Sequence, residues 1–431
     1  MAISARRSCA TSSRTGAPTS AASEPAIWNP AERLERKELR ELQLVRLRAT
    51  FQLELDSLER VAELPFTDKS HLRDAFPFGL PRVPVEALAR VHASSGTHGK
   101  PTVVAYTAAD LEAWTELMAR CMTMAGVRAG MLVHNANTYG LFTGGHGFHQ
   151  GAERIGAPVV PVSGGFTMRQ AMLLHDLGAQ VLIATPSYAV VIAQAVRDSG
   201  IDPGSLKLEL GLFGGEAWTE GLREQIEREL PGLRAVNFYG LSEMCGPGVA
   251  SECLEVRDGL HVHEDHFLVE VVDPRSGALL DEGAEGELVF TTLVKEAMPL
   301  LRYRTGDVGS LVFEPCACGR TTARIRGLRG RHDDMITVRG VNLFPSHVEH
   351  LLLSVPDVAS HYQLVVERSG SMDELTVRCE PVSTAVDVAT LRSTVATVLR
   401  EHTGVRIEVE VLQPGGVPRS EGKAVRVVDR R

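Results

Sequence analysis

The sequence predicts an α/β protein with a large N-terminal domain, built of βαβ layers plus a β subdomain, and a small α+β C-terminal domain. Three patterns support this fold class. Helical patterns alternate with short apolar runs over 103–229, strand-like alternation takes over after residue 259, and a strand-turn-helix pattern begins near residue 330. Helices that alternate with apolar strands are typical of parallel sheets. At 431 residues and 44% apolar content, the chain is long enough for two or three domains.

The predicted elements follow one another in a clear order. Leucines and valines recur at three- and four-residue spacing over 28–58, which predicts amphipathic helices. Apolar runs at 159–162, 181–185 and 210–215 are the expected parallel strands. The segments HFLVEVVD and GELVFTTLV alternate in polarity around turn-forming residues, which predicts an antiparallel β subdomain. In the C-terminal part, LTVRCEPV, a helix around 388–399 and IEVEVL predict a small α+β domain.

These patterns divide the chain into a disordered tail at 1–27, an N-terminal domain at 28–329 and a C-terminal domain at 330–431. The tail is rich in Ala, Ser, Thr and Arg and has no acidic residue before Glu24. A transit peptide and a start codon placed too far upstream are the alternative interpretations of this segment.

Composition excludes several functional classes. A net charge of −9, with acidic residues spread among basic ones, offers no basic face, so nucleic acid is not an expected partner. No apolar run reaches eighteen residues, so no membrane span is expected. Seven cysteines without regular spacing do not form the disulfide framework of a secreted protein, which favours a cytoplasmic location.

A loop rich in hydroxyls and glycines lies between a short apolar run and the strand-like VVAYT. Glycines let backbone N–H groups turn toward anionic oxygens, hydroxyls donate further hydrogen bonds, and a lysine supplies positive charge, so the loop suits a triphosphate. Its spacing is not that of a Walker A loop, which argues against a P-loop kinase or ATPase. A flexible polar turn is the alternative. The candidate nucleotide-binding residues in this loop are Ser94, Ser95, Gly96, Thr97, Gly99 and Lys100.

Further motifs follow the loop in a fixed order: GGE at 214–216, FYGLSE at 238–243, YRTGD at 303–307, GRHDD at 330–334 and SEGK at 420–423. Their order and spacing resemble the acyl-adenylate-forming superfamily. Within it the sequence is most similar to the phenylacetate-CoA ligase family, a similarity also seen in LFTGG, GLHVHEDHF and GVNLFPSHVE. The resemblance implies an adenylate-forming enzyme fold with a mobile C-terminal domain. It also implies an acid–thiol ligase that uses ATP, Mg²⁺ and coenzyme A to convert an aromatic carboxylic acid to acyl-AMP and then to a thioester.

The chemistry of adenylation explains which residue types are needed. A carboxylate attacks the α-phosphorus of ATP, so the site must hold two anions together and stabilise the departing pyrophosphate. By resemblance, Glu243 holds Mg²⁺, Ser242 donates to the α-phosphate, and Asp307 accepts hydrogen bonds from the ribose hydroxyls with Arg331 beside it. The resemblance assigns the remaining nucleotide-site residues: the Gly215 backbone and Tyr239 at adenine, with Glu216, Phe238 and Gly240 beside them.

Three residues of the C-terminal domain receive roles from the resemblance. Lys423 would bridge the carboxylate and the α-phosphate, although a lysine near a chain end is otherwise usually solvated. Asp333 falls at the hinge about which the C-terminal domain rotates, and Gly340 would face the pantetheine channel.

The acid pocket is expected, by analogy, to be formed by parts of 139–150 and 244–248. His146 and Gln150 are more polar than the leucine and tyrosine expected at their positions, which favours a ring that bears hydroxyl or amino groups. Phenylacetate is the generic expectation, and a substituted benzoate or cinnamate is the alternative. His146 could instead pack or hydrogen-bond to backbone outside the pocket. The candidate substrate-binding residues are Tyr139, Phe142, His146, Gln150, Gly246 and Pro247.

A second constellation consists of Cys253, His261, Cys316 and Cys318. A closed Cys₃His set would be a structural zinc site, and buried reduced cysteines are the alternative. Four protein ligands would leave no open coordination position, so a catalytic zinc is not expected.

Two other functions remain open at this stage. The acyl group could pass to a carrier protein or an amine instead of CoA, or the chain could be a nucleotide-binding regulatory protein that has lost catalysis. The joint presence of Glu243, Asp307 and Lys423 counts against the second. The resemblance also implies a homodimer.

Overall fold

The structure is a computed structural model that describes residues 26–77, 81–94, 102–338, 341–369, 372–420 and 422–431. Its helices are α1 (Arg36–Phe51), α2 (Lys69–Asp74), α3 (Ala108–Met124), α4 (Gly144–Ile155), α5 (Thr167–Leu177), α6 (Pro186–Asp198), α7 (Glu220–Glu229), α8 (Pro345–Leu353) and α9 (Val388–Thr403). The strands of the N-terminal part are β1 (Arg90–Ser94), β2 (Thr102–Tyr106), β3 (Val133–Asn135), β4 (Val159–Val160), β5 (Val181–Ala184), β6 (Leu210–Gly214), β7 (Arg234–Leu241), β8 (Gly246–Ser251), β9 (Leu260–Val262), β10 (Phe267–Val272), β11 (Gly286–Thr292), β12 (Tyr303–Val312) and β13 (Arg324–Arg331). The C-terminal strands are β14 (Ile336–Val338), β15 (Val341–Leu343), β16 (Val358–Ser369), β17 (Met372–Pro381), β18 (Glu408–Val411) and β19 (Val427–Asp429).

One large mixed sheet forms the N-terminal domain, with the strand order β10-β11-β12-β13-β9-β8-β7-β6-β5-β3-β4. The strands β4, β3, β5, β6 and β7 run parallel, and the sheet continues through antiparallel pairs from β8 onward. The predicted α/β class, the parallel strands and the antiparallel pair β10–β11 are all present. The β subdomain expected from the change of texture is joined to the parallel part edge to edge, because β7 pairs with β8.

Strand β5 is buried on both faces of the sheet. Val181 and Ile183 of β5 pack in one core together with helix α3, whereas Leu182 and Ala184 pack in a second core under helix α6. Burial on both faces explains why the sequence of β5 is a continuous apolar run and does not alternate between apolar and polar residues.

Polar caps fix where the helices over the sheet begin. Thr107 accepts a hydrogen bond from Asp110 N at the start of α3, Thr185 accepts one from Tyr188 N at the start of α6, and Thr219 caps α7. Such caps satisfy backbone donors that have no partner within the helix. Since Thr185 follows β5 directly, the cap also sets the position of a polar residue at the carboxyl edge of the sheet.

The C-terminal domain has its own four-stranded sheet, in the order β18-β17-β16-β19, and its own core, which includes Leu364, Val377 and Leu399. The expected α+β character is therefore present. The predicted boundary at 329/330 falls near the end of β13, and Asp333 lies in a short 3₁₀ turn at His332–Asp334. Gly340 lies outside the described residues.

The first described residues are attached to the large domain. Glu32 forms a buried ion pair with Arg320 at 2.6 Å, and Ala26 O accepts a hydrogen bond of 2.6 Å from the same guanidinium. Apart from its last two residues, the expected tail lies outside the described part of the chain. Within the described ranges, no helix has the length and apolar character that crossing a bilayer requires.

Candidate active site

The candidate site lies at the carboxyl edge of the parallel strands. Thr185 follows β5, Gly215 follows β6, and the motif that contains Ser242 and Glu243 follows β7. Neighbouring parallel strands end at the same edge, which is the usual place for ligands in open α/β sheets. A Cβ built on Gly215 would lie 3.5 Å from Cε of Lys423, so the C-terminal lysine reaches this edge from the other domain.

Hydrogen bonds on both sides of Lys423 hold the C-terminal loop against the sheet. Gly422 O accepts a bond of 2.9 Å from Thr185 Oγ1, and Ala424 N donates one of 2.9 Å to Glu216 Oε2. Glu216 is itself fixed, because its other oxygen accepts a bond of 2.8 Å from Ser187 N. These contacts fix the backbone at the residues immediately before and after Lys423.

Three carboxylates act electrostatically on the ammonium of Lys423. Loss of water within the interdomain cleft lowers the pKa of Lys423, while Glu216, Asp307 and Glu243 act in the opposite direction. The residue retains solvent exposure on its open side. Its Nζ lies 5.2 Å from the ring centroid of Phe142. The structure therefore brings Lys423 together with three other predicted site residues, Glu216, Asp307 and Glu243.

Ser242 and Glu243 are both buried. Ser242 Oγ lies 3.0 Å from Thr143 Oγ1, and Lys69 Nζ lies 3.5 Å from Glu243 Oε1. Lys295 donates a bond of 2.7 Å to Glu243 O, which fixes the turn. A buried carboxylate that faces a cation suits a hard metal ion such as Mg²⁺, which prefers oxygen ligands.

Sequence reasoning missed Lys69. It is the first residue of the short helix α2, which Asp68 caps, and nothing in its local pattern distinguishes it from a surface lysine. Its relation to Glu243 depends on contacts across 174 positions of sequence.

At the end of the site where the resemblance places the ribose, Asp307 and Arg331 are cross-strand neighbours on β12 and β13. Tyr239 donates a hydrogen bond of 2.7 Å to Asp307 Oδ2, and Arg331 donates one of 2.7 Å to Thr305 O. The Tyr239 ring is buried and stacks on Phe290 with ring centroids 6.0 Å apart. The hydrogen bond between Tyr239 and Asp307 is a second feature that the sequence did not indicate.

Two neighbours of Tyr239 in the FYGLSE motif have structural contacts. Phe238 is buried and packs on Phe148 with ring centroids 5.1 Å apart. A Cβ on Gly240 would lie 1.6 Å from Gly246 O, so no side chain fits at the irregularity where β7 pairs with β8. Gly240 thus permits the close approach of two strands that positions Ser242 and Glu243.

Most of the predicted phosphate loop lies outside the described residues. Of its candidates, only Ser94 is described; Ser95, Gly96, Thr97, Gly99 and Lys100 are not. Ser94 ends β1 and pairs with Thr102 of β2 in an antiparallel hairpin, so the loop joins these two strands.

The predicted acid-pocket residues form a polar, aromatic group near α4. Tyr139 OH accepts a bond of 2.8 Å from Asn135 Nδ2 and lies 3.0 Å from His149 Nδ1. His146 Nε2 lies 2.6 Å from Tyr139 O, so one of its ring nitrogens contacts backbone, as the alternative interpretation describes. Gln150 faces the Arg90 guanidinium at 3.2 and 3.3 Å when its amide oxygen points toward it.

The other candidates near this group differ in their contacts. A Cβ on Gly246 would lie 2.8 Å from Thr143 Cβ and 3.0 Å from Trp114 Cζ2, so the backbone packs tightly there. Pro247 is half-buried beside it on β8. Phe142 contacts Lys423 rather than the Tyr139 group.

The four members of the second constellation come together away from this site. The ligand atoms of Cys253, His261, Cys316 and Cys318 all lie within 4.8 Å of one another, and all four residues are buried.

Family models match most of the chain. The AMP-binding enzyme model matches residues 25–293, and the AMP-binding enzyme C-terminal domain model matches 340–431. A phenylacetate-coenzyme A ligase of Thermus thermophilus is 50% identical over 392 residues, which are 87% of this chain and 88% of that protein. Another, from Escherichia coli K12, is 45% identical over 87% of this chain and 86% of its own length. The chain belongs to the phenylacetate-CoA ligase family of AMP-binding enzymes. It is accordingly an acid–thiol ligase that activates its acid with ATP as an acyl-AMP and transfers the acyl group to coenzyme A.

Solved structures of another CoA ligase share the fold of this chain and differ from one another in their similarity to it. A 2-hydroxyisobutyryl-CoA ligase in the postadenylation state, in complex with R3-HIB-AMP, superposes with a TM-score of 0.86 at 28% identity, over 96% of this chain and 94% of that one. The same ligase with CoA, in the thioesterification state, gives a TM-score of 0.66 at 29% identity, over 93% and 91% of the two chains. The domains of the present structure therefore lie as in the postadenylation state, which agrees with the position of Lys423 at Gly215.

Proposed function

We propose that the substrate is an aromatic carboxylic acid, either phenylacetate or a close relative such as an amino- or hydroxy-substituted benzoate or cinnamate. The observations that carry this proposal are the position of Lys423 in the interdomain cleft near Asp307 and Glu243, and the polar aromatic group that Tyr139 forms with His149. The four phenylacetate-coenzyme A ligases at 44–50% identity support an aryl substrate.

In the first half-reaction, a carboxylate oxygen of the acid attacks the α-phosphorus of ATP, and the bond to pyrophosphate breaks. Lys423 would stabilise the charge that the carboxylate and the α-phosphate share during this step. Ser242 would donate to an α-phosphate oxygen, and Asp307 would accept from the ribose hydroxyls. Glu243 would hold a Mg²⁺ ion, which when bound supplies positive charge for the phosphate oxygens.

In the second half-reaction, the thiol of CoA attacks the acyl carbon, loses its proton and displaces AMP. Rotation about Asp333 would remove Lys423 from the cleft and bring the segment at Gly340 to the pantetheine. Such a rotation needs a backbone position able to absorb a large dihedral change.

The acid pocket is polar but carries little negative charge. Beside His146, at 5.4 Å between ring centroids, lies His92 of β1. Burial lowers the pKa of His92 to about 4 and also lowers the pKa of His146. Burial raises the pKa of Tyr139 to about 12. Near neutral pH these three groups are uncharged donors and acceptors. Such groups discriminate against rings that cannot pair with them, which favours a hydroxyl or amino substituent.

We further propose a cytoplasmic location, which suits the free cysteines among the described residues, and a homodimer in solution. A mass of a single chain by light scattering would contradict the proposed homodimer.

Pyrophosphate release with ATP and Mg²⁺ tests the proposed substrate. The acids are phenylacetate, benzoate, cinnamate and their amino and hydroxy derivatives, each with and without CoA. We expect turnover to require one aryl acid, and AMP release to require CoA. If AMP is released only when a carrier protein or an amine is added, that molecule rather than CoA is the acyl acceptor. No release with any acid would overturn the aryl substrate and favour the regulatory alternative.

A further inference from the structure

A compact group of three cysteines and one histidine lies apart from the active site. Cys253 follows β8, His261 is in β9, and Cys316 and Cys318 are in the turn between β12 and β13. The Cys253 and Cys316 sulfurs are 3.8 Å apart, and the Cys318 sulfur is 3.4 Å from His261 Nε2. All four ligand atoms lie within 4.8 Å of one another.

The sulfur–sulfur distance of 3.8 Å and the sulfur–nitrogen distance of 3.4 Å agree with the edges of a tetrahedral metal site. With zinc–sulfur bonds of about 2.3 Å and a zinc–nitrogen bond of about 2.0 Å, tetrahedral angles place two sulfurs about 3.8 Å apart and a sulfur and a nitrogen about 3.5 Å apart. A disulfide would require sulfurs about 2.0 Å apart. The side chains are therefore spaced as ligands around a common centre, not as a covalent pair.

The orientation of His261 supports the same arrangement. His261 Nδ1 lies 3.2 Å from Thr322 Oγ1, to which it can donate its proton. This leaves the lone pair of Nε2 directed to the sulfurs. Histidine ligands in metal sites usually have a hydrogen-bond partner at the other ring nitrogen, which fixes the tautomer and the ring orientation.

We propose that Cys253, His261, Cys316 and Cys318 bind one Zn²⁺ ion as a closed structural site. Three thiolates and one imidazole are a common tetrahedral set for zinc, and binding releases the thiol protons. Because all four ligands come from the protein, no position is open for a substrate.

The site would connect parts of the large sheet that are distant in sequence. It joins the end of β8 and β9 to the turn of the β12–β13 hairpin. The same two strands carry Asp307 and Arg331 toward their other end. Arg320, two residues after Cys318, is ion-paired with Glu32 and links this turn to the first described residues. Zinc would thus stabilise the hairpin that presents the ribose-binding residues, without taking part in the reaction.

Metal content tests the proposal on the full chain, expressed with added Zn²⁺ and purified without chelator. Plasma mass spectrometry should find about one zinc per chain in the wild type. Cys318→Ser should lose most of it. Cys379→Ser is the matched control, since Cys379 is also buried and free but lies in β17, and it should keep the metal.

Cobalt provides a second measurement that does not depend on a variant that folds. Co²⁺ added to metal-depleted wild-type protein should give the thiolate charge-transfer and visible bands of a tetrahedral sulfur site. Zn²⁺ should restore the melting temperature that a chelator lowers, because a ligand that binds only the folded state stabilises it. Wild-type protein with less than about one tenth of a zinc per chain and no cobalt–thiolate bands would overturn the proposal, as would full zinc retention in Cys318→Ser.

Discussion

The ammonium of Lys423 lies in a cleft with three carboxylates nearby, and its backbone is held on both sides by hydrogen bonds to the other domain. A charge placed in advance where negative charge develops is more effective than one that must be reorganised during the reaction. In the postadenylation-like arrangement, Lys423 can act on the first half-reaction. We propose that it has no corresponding role once the C-terminal domain has rotated.

Replacing Lys423 with alanine should therefore separate the two half-reactions. We expect adenylate formation to fall by about 10²- to 10³-fold, the usual loss for a transition-state contact of this kind. Thioester formation from a supplied acyl-adenylate should persist. Pyrophosphate release and acyl-CoA formation measure the two steps. Lys37→Ala, at a lysine whose side chain is 88% exposed on α1, is the control, and equal losses in both steps would refute the assigned role.

Asp265 carries a prediction about stability and pH. It forms a buried ion pair with Arg120 at 3.0 Å and a hydrogen bond with His266 at 2.9 Å. Burial alone would raise the pKa of the Asp265 carboxyl, but the hydrogen bond from His266 and the charges of His266 and Arg120 hold the pKa below its usual range. A depressed folded-state pKa adds stability above the unfolded pKa of about 4, and this stability is lost as pH falls below it.

Asp265→Asn should lower the free energy of unfolding at pH 7 by about 3 kcal/mol, because the buried Arg120 loses its nearer partner and keeps the more distant Glu116 at 3.5 Å. The variant should also show a weaker fall in stability on acidification than the wild type. Denaturant titrations at pH 7 and in mild acid measure both effects. Asp176→Asn, on an exposed aspartate of α5, is the comparison, and an identical acid dependence in Asp265→Asn and wild type would contradict the assignment.

The site residues could be predicted from the sequence where a motif carries them, and not where a contact defines them. Glu243, Asp307 and Lys423 stand in short motifs whose order is informative. Lys69 and the hydrogen bond from Tyr239 to Asp307 were missed, because each depends on segments far apart in sequence that the fold brings together. For Lys69 in particular, no local spacing indicates its partner.

At the scale of the elements, the hydrogen bonds of Glu216 hold the loop that carries Lys423. Glu216 accepts bonds from Ser187 N and from Ala424 N, so one carboxylate connects β6, α6 and the C-terminal loop. Each such bond contributes about 0.5–1.5 kcal/mol. The contact can therefore stabilise one arrangement of the domains while still allowing it to open.

Glu216→Ala should lower the rate of adenylate formation by about 10-fold, since the loop loses one of its anchors. Acyl-CoA formation from supplied acyl-adenylate should change little. The same two assays used for Lys423 measure the effect. Glu209→Ala, at an exposed glutamate just before β6, serves as the control, and a variant that loses both half-reactions would show that Glu216 supports folding rather than docking.

The elements themselves were largely predictable. The apolar runs at 159–162, 181–185 and 210–215 contain β4, β5 and β6. Of these, β5 and most of β6 are buried on both faces, which favours apolar residues. The union of the β subdomain with the parallel sheet was not predictable. It depends on the pairing of β7 with β8 across an irregularity at Gly240, and periodicity within a strand does not report its neighbours.

For the whole molecule, the relative position of the two domains is the property that matters most for the reaction. The higher TM-score to the postadenylation structure than to the thioesterification structure, 0.86 against 0.66, places the present arrangement with the first state. Access to the second state would require a change at the hinge near the end of β13. Sequence motifs identify the hinge only by resemblance and do not indicate which state the chain adopts.

Asp333→Pro should restrict this rotation, because proline fixes one backbone dihedral. We expect adenylate formation to continue while acyl-CoA formation falls strongly. Asp333→Ala is the matched control, since it changes the side chain but leaves the backbone free, and it should retain both activities. If Asp333→Pro makes acyl-CoA at the wild-type rate, the hinge lies elsewhere.

The stoichiometry of one complete reaction shows directly whether the protein uses ATP and CoA to convert an aryl acid to its acyl-CoA. Purified wild-type protein is given ATP, Mg²⁺, CoA and phenylacetate or the aryl acid that the panel identifies, and all products are quantified by mass spectrometry. We predict one AMP, one pyrophosphate and one acyl-CoA for each molecule of acid consumed. The Lys423→Ala variant should form these products only at its residual rate. Formation of ADP, or consumption of ATP without acyl-CoA, would contradict the account.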